Sequence, residues 1–394
     1  MNNFRLENNT RGNEMIHTAA CYHALNSMTQ AGLYIHIPFC RSRCSYCDFA
    51  TGLYEGELAE RYVRALIDEI RSPSVAETSV DTIYFGGGTP SLLNPAQLDR
   101  ILSVLRDRFD VDGAAEITLE INPGSISVEK LREFRSLGIN RASFGVQTFD
   151  DRELAKLGRS HTAADARRTF HDLRAAGFEN ISFDLIAGLP GQTLAGWQRN
   201  VQEALELRPE HLSFYLLEVH SGTPLAQHIQ RGLQPAPDED LAAVMYEWML
   251  ERAAQAGYEH YEISNLCRPG FQSQHNTKYW TGALYFGFGC SAHSYDGEMR
   301  RWSNHRDVLE YVESVEHRSS PVAEKQILTQ SDIRAESLFL GLRLMRGVSL
   351  DLCKEYETDL ARFREAGLVE LEGDWVRLTR SGALLSNEVF AAFL

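Results

Sequence analysis

Short apolar runs alternate with amphipathic segments from Leu33 to about residue 220. Six apolar runs, each followed by a loop and a helical pattern, cover residues 33–37, 82–85, 116–121, 141–146, 181–186 and 211–217. Runs of this length predict buried strands. Because the strands alternate with helices, they imply a parallel sheet with right-handed crossovers, and therefore an α/β fold.

The helical pattern at residues 92–109 is the best marked of these. Asn94 is a favourable N-cap residue, and Pro95 suits the first helical position. Apolar residues then recur at helical spacing, so that one face is apolar, at Leu98, Ile101, Leu102, Leu105 and Phe109. The pattern predicts a helix that packs on the sheet.

Six strand–helix units are too few for a closed eight-stranded barrel. They fit either an open partial barrel or a doubly wound sheet. Glycine and polar residues concentrate at or just after the ends of the predicted strands, at residues 86–89, 120–122, 147, 184 and 188. Because functional groups at this rim are typical of barrels, we predict a partial (β/α)6 TIM-type barrel over residues 32–235.

The pattern changes past residue 220. Residues 235–240, PAPDED, predict a hinge before a helix through Met245, Trp248 and Met249. Residues 258–304 are rich in aromatic side chains, and we expect them to be rich in loops.

The last segment, residues 327–394, predicts two or three helices and a hairpin, because LVELEGDWVRL alternates around a Gly-Asp turn signal. Residues 236–394 are therefore predicted to form a smaller α+β domain with a winged-helix-like end. The polar first segment lacks the apolar core of a secretory signal, so residues 1–31 are expected to be a disordered or non-native extension.

Charge and cysteine usage narrow the class of protein. The 394 residues carry a formal net charge of −15, which argues against a nucleic-acid partner. No run of about 18 apolar residues is present, so no segment is expected to span a bilayer. This does not exclude peripheral contact with a membrane. Three of the seven cysteines are clustered and four are scattered. That distribution is typical of a reducing compartment and predicts a cytoplasmic protein.

The clustered cysteines have the spacing C-x3-C-x2-C, at Cys40, Cys44 and Cys47, with Phe49 two residues further on. A structural zinc site normally collects four ligands, and no fourth ligand is evident nearby. A [4Fe–4S] cluster held by three thiolates would keep one iron open for a ligand. Coincidental clustering and a redox thiol group are the alternatives.

The cysteine spacing resembles the signature of the radical S-adenosylmethionine (SAM) superfamily. That resemblance implies a [4Fe–4S] cluster at these cysteines, whose open iron is chelated by SAM and whose electron breaks the sulfonium bond. The turn GGGTP after the second strand is similar to the superfamily's site for the SAM amino acid, where a nest of N–H groups can receive a carboxylate.

Further residues resemble the anaerobic coproporphyrinogen dehydrogenase branch of that superfamily, together with its haem-chaperone relatives. The resemblance implies polar contacts to SAM at strand ends and two aromatic residues beside the cluster, with Arg159 suited to the carboxylate. The cofactor-binding residues implied in this way are Tyr34, Tyr46, Gly87, Gly88, Thr89, Glu120, Gln147, Arg159 and Asp184.

The sequence resembles two branches of the superfamily, the dehydrogenases and the haem chaperones. HNTKYW at residues 275–280 favours the haem chaperones of the HemW family, whose HNxxYW motif it resembles. Phe49 also stands where the dehydrogenase pattern has a fourth cysteine, and the first thirty residues do not resemble its N-terminal arm. The resemblance implies that His275 binds haem iron, with Asn276 orienting it. The alternative is a structural histidine. Cys267 and His293 are lesser candidates.

These observations predict a haem chaperone that binds haem, a [4Fe–4S] cluster and SAM, with no assigned catalytic residue. It would deliver haem to acceptor haemoproteins, membrane-bound acceptors included. The resemblance implies that cluster occupancy controls oligomeric state, so a homodimer is one of the expected states. The alternative is an oxygen-independent coproporphyrinogen III dehydrogenase, an oxidative decarboxylase. A radical SAM enzyme acting on another substrate, such as haem itself, is a third interpretation.

Overall fold

The structure is a computed structural model that describes residues 30–73, 75 and 77–393. Most of the predicted extension, residues 1–29 with Cys21, lies outside the described residues, and Ala31 already belongs to the first strand.

Within the described residues, the strands are β1 (Ala31–Ile37), β2 (Phe39–Cys40), β3 (Gly52–Leu53), β4 (Ser79–Gly87), β5 (Asp110–Ile121), β6 (Arg141–Gln147), β7 (Asn180–Ala187), β8 (His211–Leu216), β9 (Glu259–Glu262), β10 (Asn265–Cys267), β11 (Tyr285–Phe288), β12 (His293–Tyr295), β13 (Arg300–Asn304), β14 (Val322–Ile327), β15 (Val348–Ser349), β16 (Val369–Glu372) and β17 (Trp375–Leu378). The α-helices there are α1 (Gly56–Arg71), α2 (Pro95–Arg108), α3 (Val128–Ser136), α4 (Asp151–Lys156), α5 (Ala163–Ala175), α6 (Leu194–Leu207), α7 (Pro224–Gln230), α8 (Glu239–Gln255), α9 (Gln274–Trp280), α10 (Val308–Glu316), α11 (Gln330–Gly341), α12 (Glu357–Glu365), α13 (Arg380–Leu384) and α14 (Ser386–Phe390). None of them is long and apolar enough to cross a membrane.

All six predicted strands are present, as β1, β4, β5, β6, β7 and β8, and they lie side by side in chain order. Each neighbouring pair is parallel. A doubly wound sheet would reverse its strand order at a switch point, and this sheet does not. Among the described strands β1 and β8 do not pair with each other, so the barrel is open. The predicted partial barrel is confirmed.

Residues 259–327 extend this sheet at both edges, and the stretch expected to be rich in loops, residues 258–304, contains short strands and a helix joined by loops. Strand β11 pairs with β1 in parallel, with Leu33 opposite Phe286. Beyond β11 the strands β12, β13 and β14 follow in antiparallel pairs. At the other edge β10 pairs antiparallel with β8, and β9 pairs with β10.

Alternation along the strands separates an apolar face from a polar one. In β5, Ile117 and Leu119 belong to the main hydrophobic core, whereas Glu116, Thr118 and Glu120 have the opposite parity. Because successive side chains point to opposite faces of a strand, the helices cover the apolar face and the polar residues line the inside of the barrel.

The predicted capping of α2 is confirmed in atomic detail. The Asn94 side chain accepts from the Gln97 N–H at 2.9 Å, and the Gln97 side chain accepts from the Asn94 N–H at 2.9 Å. This reciprocal pair is a capping box. Asn94 therefore satisfies a free N–H group at the first turn of the helix.

The C-terminal segment has its own core and the predicted winged-helix-like end. Strands β15, β17 and β16 form a three-stranded sheet, and β16 pairs with β17 around the predicted turn, with Glu372 opposite Trp375. Side chains from α11, α12 and this sheet pack together at Leu338, Val348, Leu360, Phe363 and Val376.

Candidate metal and cofactor site

The cysteine loop, residues 40–53, crosses the end of the barrel where the parallel strands terminate. Its base is closed by the pairing of β2 with β3, in which Cys40 lies opposite Leu53. Its middle is held by two backbone hydrogen bonds of Ser45. The Ser45 N–H donates to the Leu157 carbonyl at 2.9 Å, and the Ser45 carbonyl accepts from the Leu225 N–H at 2.8 Å. The loop is therefore closed at its base and held at Ser45, between the second and third cysteines.

All three cysteine thiols of the loop are free and half-buried. The Thr89 hydroxyl donates to the Cys40 sulfur at 3.8 Å, and the Arg159 guanidinium donates to the Cys44 sulfur at 3.4 Å. Burial raises the pKa of the Cys40 thiol to about 11 and also raises the pKa of Cys47. A metal centre at the loop would therefore have to displace protons from these thiols.

The residues present fit an iron–sulfur cluster better than a single metal ion. Among the described residues, no three His, Cys, Asp or Glu side chains are arranged to hold one ion. In a [4Fe–4S] cluster each thiolate binds a different iron, so the sulfurs need not converge on one point. Phe49, two residues past the last cysteine, is 67% exposed and supplies no fourth sulfur.

The GGGTP turn packs directly against the strand that carries Cys40. The N–H groups of Gly88 and Thr89 donate to the carbonyls of Ile37 and Phe39, at 2.8 and 2.7 Å. The N–H group of Gly87 donates to a carboxylate oxygen of Glu120 at 3.1 Å. Because these three N–H groups already have partners, the expected nest for a carboxylate is not formed by them. The glycines instead allow a close approach of two backbones.

Gly87 shows why this approach needs glycine. Its φ of 111° is unfavourable for other residues. A Cβ atom there would lie 2.5 Å from the His36 ring. The His36 Nε2 atom is 2.9 Å from the Ala50 carbonyl oxygen, so the same ring contacts the turn and the end of the cysteine loop. Burial lowers the His36 pKa to about 4, which keeps the ring neutral.

Glu120 and two tyrosines form the next layer inside the barrel. The Tyr84 hydroxyl donates to Glu120 at 2.8 Å, and the Tyr84 ring stacks on the Tyr34 ring with centroids 6.1 Å apart. Burial, reinforced by the negative charge of Asp184, raises the Glu120 pKa to about 7. This carboxyl group can therefore exchange a proton near neutral pH.

Gln147 ends β6 in a left-handed conformation, with a φ of 65°. A non-glycine residue there stores strain of about 1–3 kcal/mol, which is typical of functional sites. The pairing of β6 with β7 shifts register between Gly145 and Gln147, and the Arg159 guanidinium donates to the Gly145 carbonyl at 2.9 Å. Asp184 lies on the adjacent strand β7, and burial raises the pKa of its carboxyl group.

Tyr46 lies within the cysteine loop, between Cys44 and Cys47. Its ring packs against Leu157, Ile186 and Leu189. Burial raises its pKa, and the charge of Arg159 opposes that shift. The structure thus places an aromatic residue beside the cysteines and next to Arg159.

One residue that sequence reasoning missed connects these groups. The Asn122 side chain donates to the Thr89 hydroxyl at 3.0 Å and accepts from Arg159 at 2.8 Å. It stands two residues beyond Glu120, at the polar end of strand β5. Its partners come from distant elements, so no local pattern marks its role.

His275 lies in the barrel interior on helix α9, where a loop was expected, and only 1% of its surface is exposed. Its Nδ1 atom is 2.9 Å from the Thr82 hydroxyl and its Nε2 atom is 2.8 Å from the Tyr279 hydroxyl. The ring stacks on Tyr84 at 5.2 Å. Burial and the nearby Lys278 charge lower its pKa to about 3. Both ring nitrogens therefore have partners in this conformation.

The two lesser candidates for a haem ligand lie on strands β10 and β12 of the extended sheet. Cys267 is buried in β10, which lies between β8 and the edge strand β9. His293 lies on β12 with an exposed side chain.

Comparison with known proteins bears on which branch this site belongs to. The Radical SAM superfamily model matches residues 34–204, and the HemN C-terminal domain model matches residues 328–385. The structure of coproporphyrinogen III oxidase (HemN) from Escherichia coli is similar with a TM-score of 0.80, at 25% identity over 93% of this chain and 90% of that chain. The heme chaperone HemW of Bacillus subtilis is 38% identical over 92% of this chain and 98% of its own length. The chain belongs to the HemW family of the radical SAM superfamily.

The HemW assignment rests on similarity along nearly the whole chain. The heme chaperone HemW of Lactococcus lactis is 36% identical over 92% of this chain and 96% of its own length. The predicted family is therefore confirmed, and so is the fold class. The individual cluster, SAM and haem residues stay predictions.

Proposed function

We propose that the protein is a haem chaperone that binds haem, a [4Fe–4S] cluster and SAM and delivers haem to acceptor haemoproteins. The observation that carries this proposal is the similarity over 92% of the chain to proteins named heme chaperone HemW. The HNTKYW segment and the three cysteines lie inside the similar chain length.

In this proposal Cys40, Cys44 and Cys47 hold the cluster, which when bound supplies an electron and an iron atom with an open position. SAM would be held at the same rim. Its proposed contacts are with residues of the barrel end, namely Tyr34, Tyr46, Gly87, Gly88, Thr89, Glu120, Gln147, Arg159 and Asp184.

Arg159 and Glu120 supply opposite charges for an amino acid at this rim. Arg159 is half-buried and has a fork of N–H donors, which suits a carboxylate. Glu120, with a pKa of about 7, can accept a hydrogen bond from an ammonium group, and Tyr84 holds one of its oxygens in place. Binding of a cationic ammonium beside Glu120 would favour its ionised form.

Haem is proposed to bind near α9, with His275 as an iron ligand. The contact of Nδ1 with Thr82 would orient the imidazole, as partners of metal-bound histidines commonly do. Ligation then requires Nε2 to exchange the Tyr279 hydroxyl for iron. The ring is buried, so the exchange also requires α9 or its surroundings to move. The structural role of His275 is the competing hypothesis.

A haem titration tests the proposal. The purified protein is titrated with haem, and the Soret band is compared for wild type, His275→Ala and His211→Ala. His211 is a matched control, because it is also buried and its two ring nitrogens contact the hydroxyls of Ser182 and Tyr261 at 2.8 Å each. We expect wild type and His211→Ala to share one Soret maximum and His275→Ala to lose or shift it.

Two results would contradict parts of the proposal. Absence of saturable haem binding in the wild type would contradict the chaperone function. Identical spectra for wild type and His275→Ala would reject His275 as the ligand and leave it a structural residue.

A second function, oxygen-independent coproporphyrinogen III dehydrogenase, is favoured by the TM-score of 0.80 to E. coli HemN. Its assay is anaerobic reconstitution followed by SAM, a reductant and coproporphyrinogen III. Formation of protoporphyrinogen IX over many turnovers would overturn the chaperone proposal. We expect none.

Location and partners are part of the same proposal. The cytoplasm is proposed because thiols that hold a cluster must stay reduced. Acceptor haemoproteins, some at a membrane surface, are the proposed partners. A homodimer whose formation depends on the cluster is the proposed oligomeric state, and sedimentation with and without cluster tests it.

A further inference from the structure

Asn122 links two polar groups that contact sulfurs of the cysteine loop. Its amide nitrogen donates to the Thr89 hydroxyl at 3.0 Å, and that hydroxyl donates to the Cys40 sulfur at 3.8 Å. Its amide oxygen accepts from Arg159 at 2.8 Å, and the same guanidinium donates to the Cys44 sulfur at 3.4 Å. One side chain is thus in contact with both donors.

The direction of these hydrogen bonds is set by chemistry. A guanidinium only donates, so it must face the amide oxygen of Asn122. The amide nitrogen must then face Thr89, whose hydroxyl accepts from it and keeps its own proton for the Cys40 sulfur. Moving either side chain away from its sulfur would break its contact with Asn122.

Arg159 depends on this arrangement more than Thr89 does. Besides Asn122, its guanidinium is held by the Gly145 carbonyl at 2.9 Å. Thr89 is anchored by its own backbone N–H, which donates to the Phe39 carbonyl at 2.7 Å. Loss of Asn122 would therefore free the Thr89 hydroxyl to rotate and remove one of the acceptors that hold the long Arg159 side chain.

We propose that Asn122 is a positioning residue for the bound cluster, because it aims one hydrogen-bond donor at each of two cluster sulfurs. The proposal rests on the proposed function, in which Cys40 and Cys44 hold a [4Fe–4S] cluster. Reduction of that cluster by one electron adds a negative charge that is shared with its sulfurs. Donors such as Thr89 and Arg159 stabilise this charge, so Asn122 raises the reduction potential of the cluster.

The test is an anaerobic potential titration of the reconstituted protein, followed by electron paramagnetic resonance. The variants are Asn122→Ala, which removes both contacts, and Asn122→Asp, which can still accept from Arg159 but draws the Thr89 hydroxyl away from Cys40. The matched control is Asn140→Ala. Asn140 is also half-buried and makes two side-chain hydrogen bonds, with the backbone of Ala115 and Ile117.

At a fixed solution potential, we expect the ratio of reduced to oxidised cluster to fall about tenfold in Asn122→Ala, the factor that one charged hydrogen bond supplies. Asn122→Asp should shift the potential in the same direction, since it loses a donor and adds a negative charge. The resonance lines of the reduced cluster should change in both. Asn140→Ala should keep the wild-type potential even where it lowers the stability of the fold.

An unchanged potential in both Asn122 variants would overturn the inference, and so would an equal shift in Asn140→Ala. Should Asn122→Ala not fold, as judged by circular dichroism, Asn122→Asp and Thr89→Val give the same test, because each removes the donor to Cys40. A wild type that binds no cluster would reject the proposed function. A wild type with a cluster but an Asn122 effect of zero would reject only this inference.

Discussion

Gly88→Ala tests whether the GGGTP turn serves the cysteine loop through backbone contact. A Cβ atom on Gly88 would lie 2.7 Å from the Phe39 carbonyl oxygen and 2.8 Å from the Pro38 carbonyl carbon. Non-bonded carbon atoms prefer a separation of about 3.5 Å or more, so the added methyl group would overlap these backbone atoms by roughly 0.7 Å. The Phe39 carbonyl cannot move freely, because the Thr89 N–H donates to it at 2.7 Å.

The expected loss of folding stability in Gly88→Ala has two sources. Overpacking of a close contact costs about 1–3 kcal/mol, and a weakened backbone hydrogen bond adds about 1 kcal/mol. We therefore expect Gly88→Ala to lower the free energy of unfolding by about 2–4 kcal/mol. Because Phe39 immediately precedes Cys40, the displaced backbone should also reduce the iron and sulfide bound per chain.

Urea unfolding and iron analysis after anaerobic reconstitution measure the two effects. The matched control is Gly52→Ala at the end of the cysteine loop, where an added Cβ meets no atom within 4 Å. We expect this control to keep wild-type stability and iron content. If Gly88→Ala unfolds at the same urea concentration as Gly52→Ala and takes up as much iron, the backbone contact of Gly88 does not support the cysteine loop.

Three further results are expected. Burial lowers the pKa of His36 to about 4, so His36 of the unfolded chain is protonated first as the pH falls below about 6.5. The stability advantage of wild type over His36→Gln should therefore shrink by about 2 kcal/mol between pH 8 and pH 5 in urea titrations, and a constant difference would contradict the burial argument. Asn94→Ala removes one half of the capping box with Gln97 and should cost about 1 kcal/mol by the same measurement; no loss would show that the cap is replaceable. The Tyr311 hydroxyl donates to buried Glu69 at 2.6 Å, and burial raises the Glu69 pKa to about 7. Tyr311→Phe should therefore lower the free energy of unfolding by about 1–3 kcal/mol at pH 8 and by less at pH 5.5, where the carboxyl group is protonated. An equal loss at both pH values would contradict this.

The six parallel strands were predictable because each is encoded locally. Every one combines a short apolar run with glycine or polar residues at its end, and the helix between β4 and β5 carries its own cap at Asn94. The rim position of the candidate site was predictable for the same reason, since the strands are parallel and their ends meet at one side.

Contacts between distant segments could not be predicted from local patterns. Strand β11 is only four residues long and becomes a strand by pairing with β1, about 250 residues away along the chain. Asn122 has an ordinary sequence environment, and only the fold brings Thr89 and Arg159 to its two amide atoms. The N–H groups of the GGGTP turn are occupied by partners that no sequence pattern indicates.

His275 illustrates a different limit. The motif identified the family, but a motif does not state which partners a side chain has. The structure shows hydroxyl partners at both ring nitrogens, and the role of the ring now depends on whether Nε2 can exchange its partner.

Cys40, Cys44 and Cys47 are proposed to hold a cubane cluster with one iron open for SAM. The most direct measurement is the electron paramagnetic resonance spectrum of the reduced, anaerobically reconstituted protein before and after SAM is added. We expect a [4Fe–4S] signal whose lines shift with saturating SAM, and a loss of that signal when the three cysteines are replaced by alanine. Bound zinc in place of iron, or a cluster spectrum that is identical with and without SAM, would contradict it.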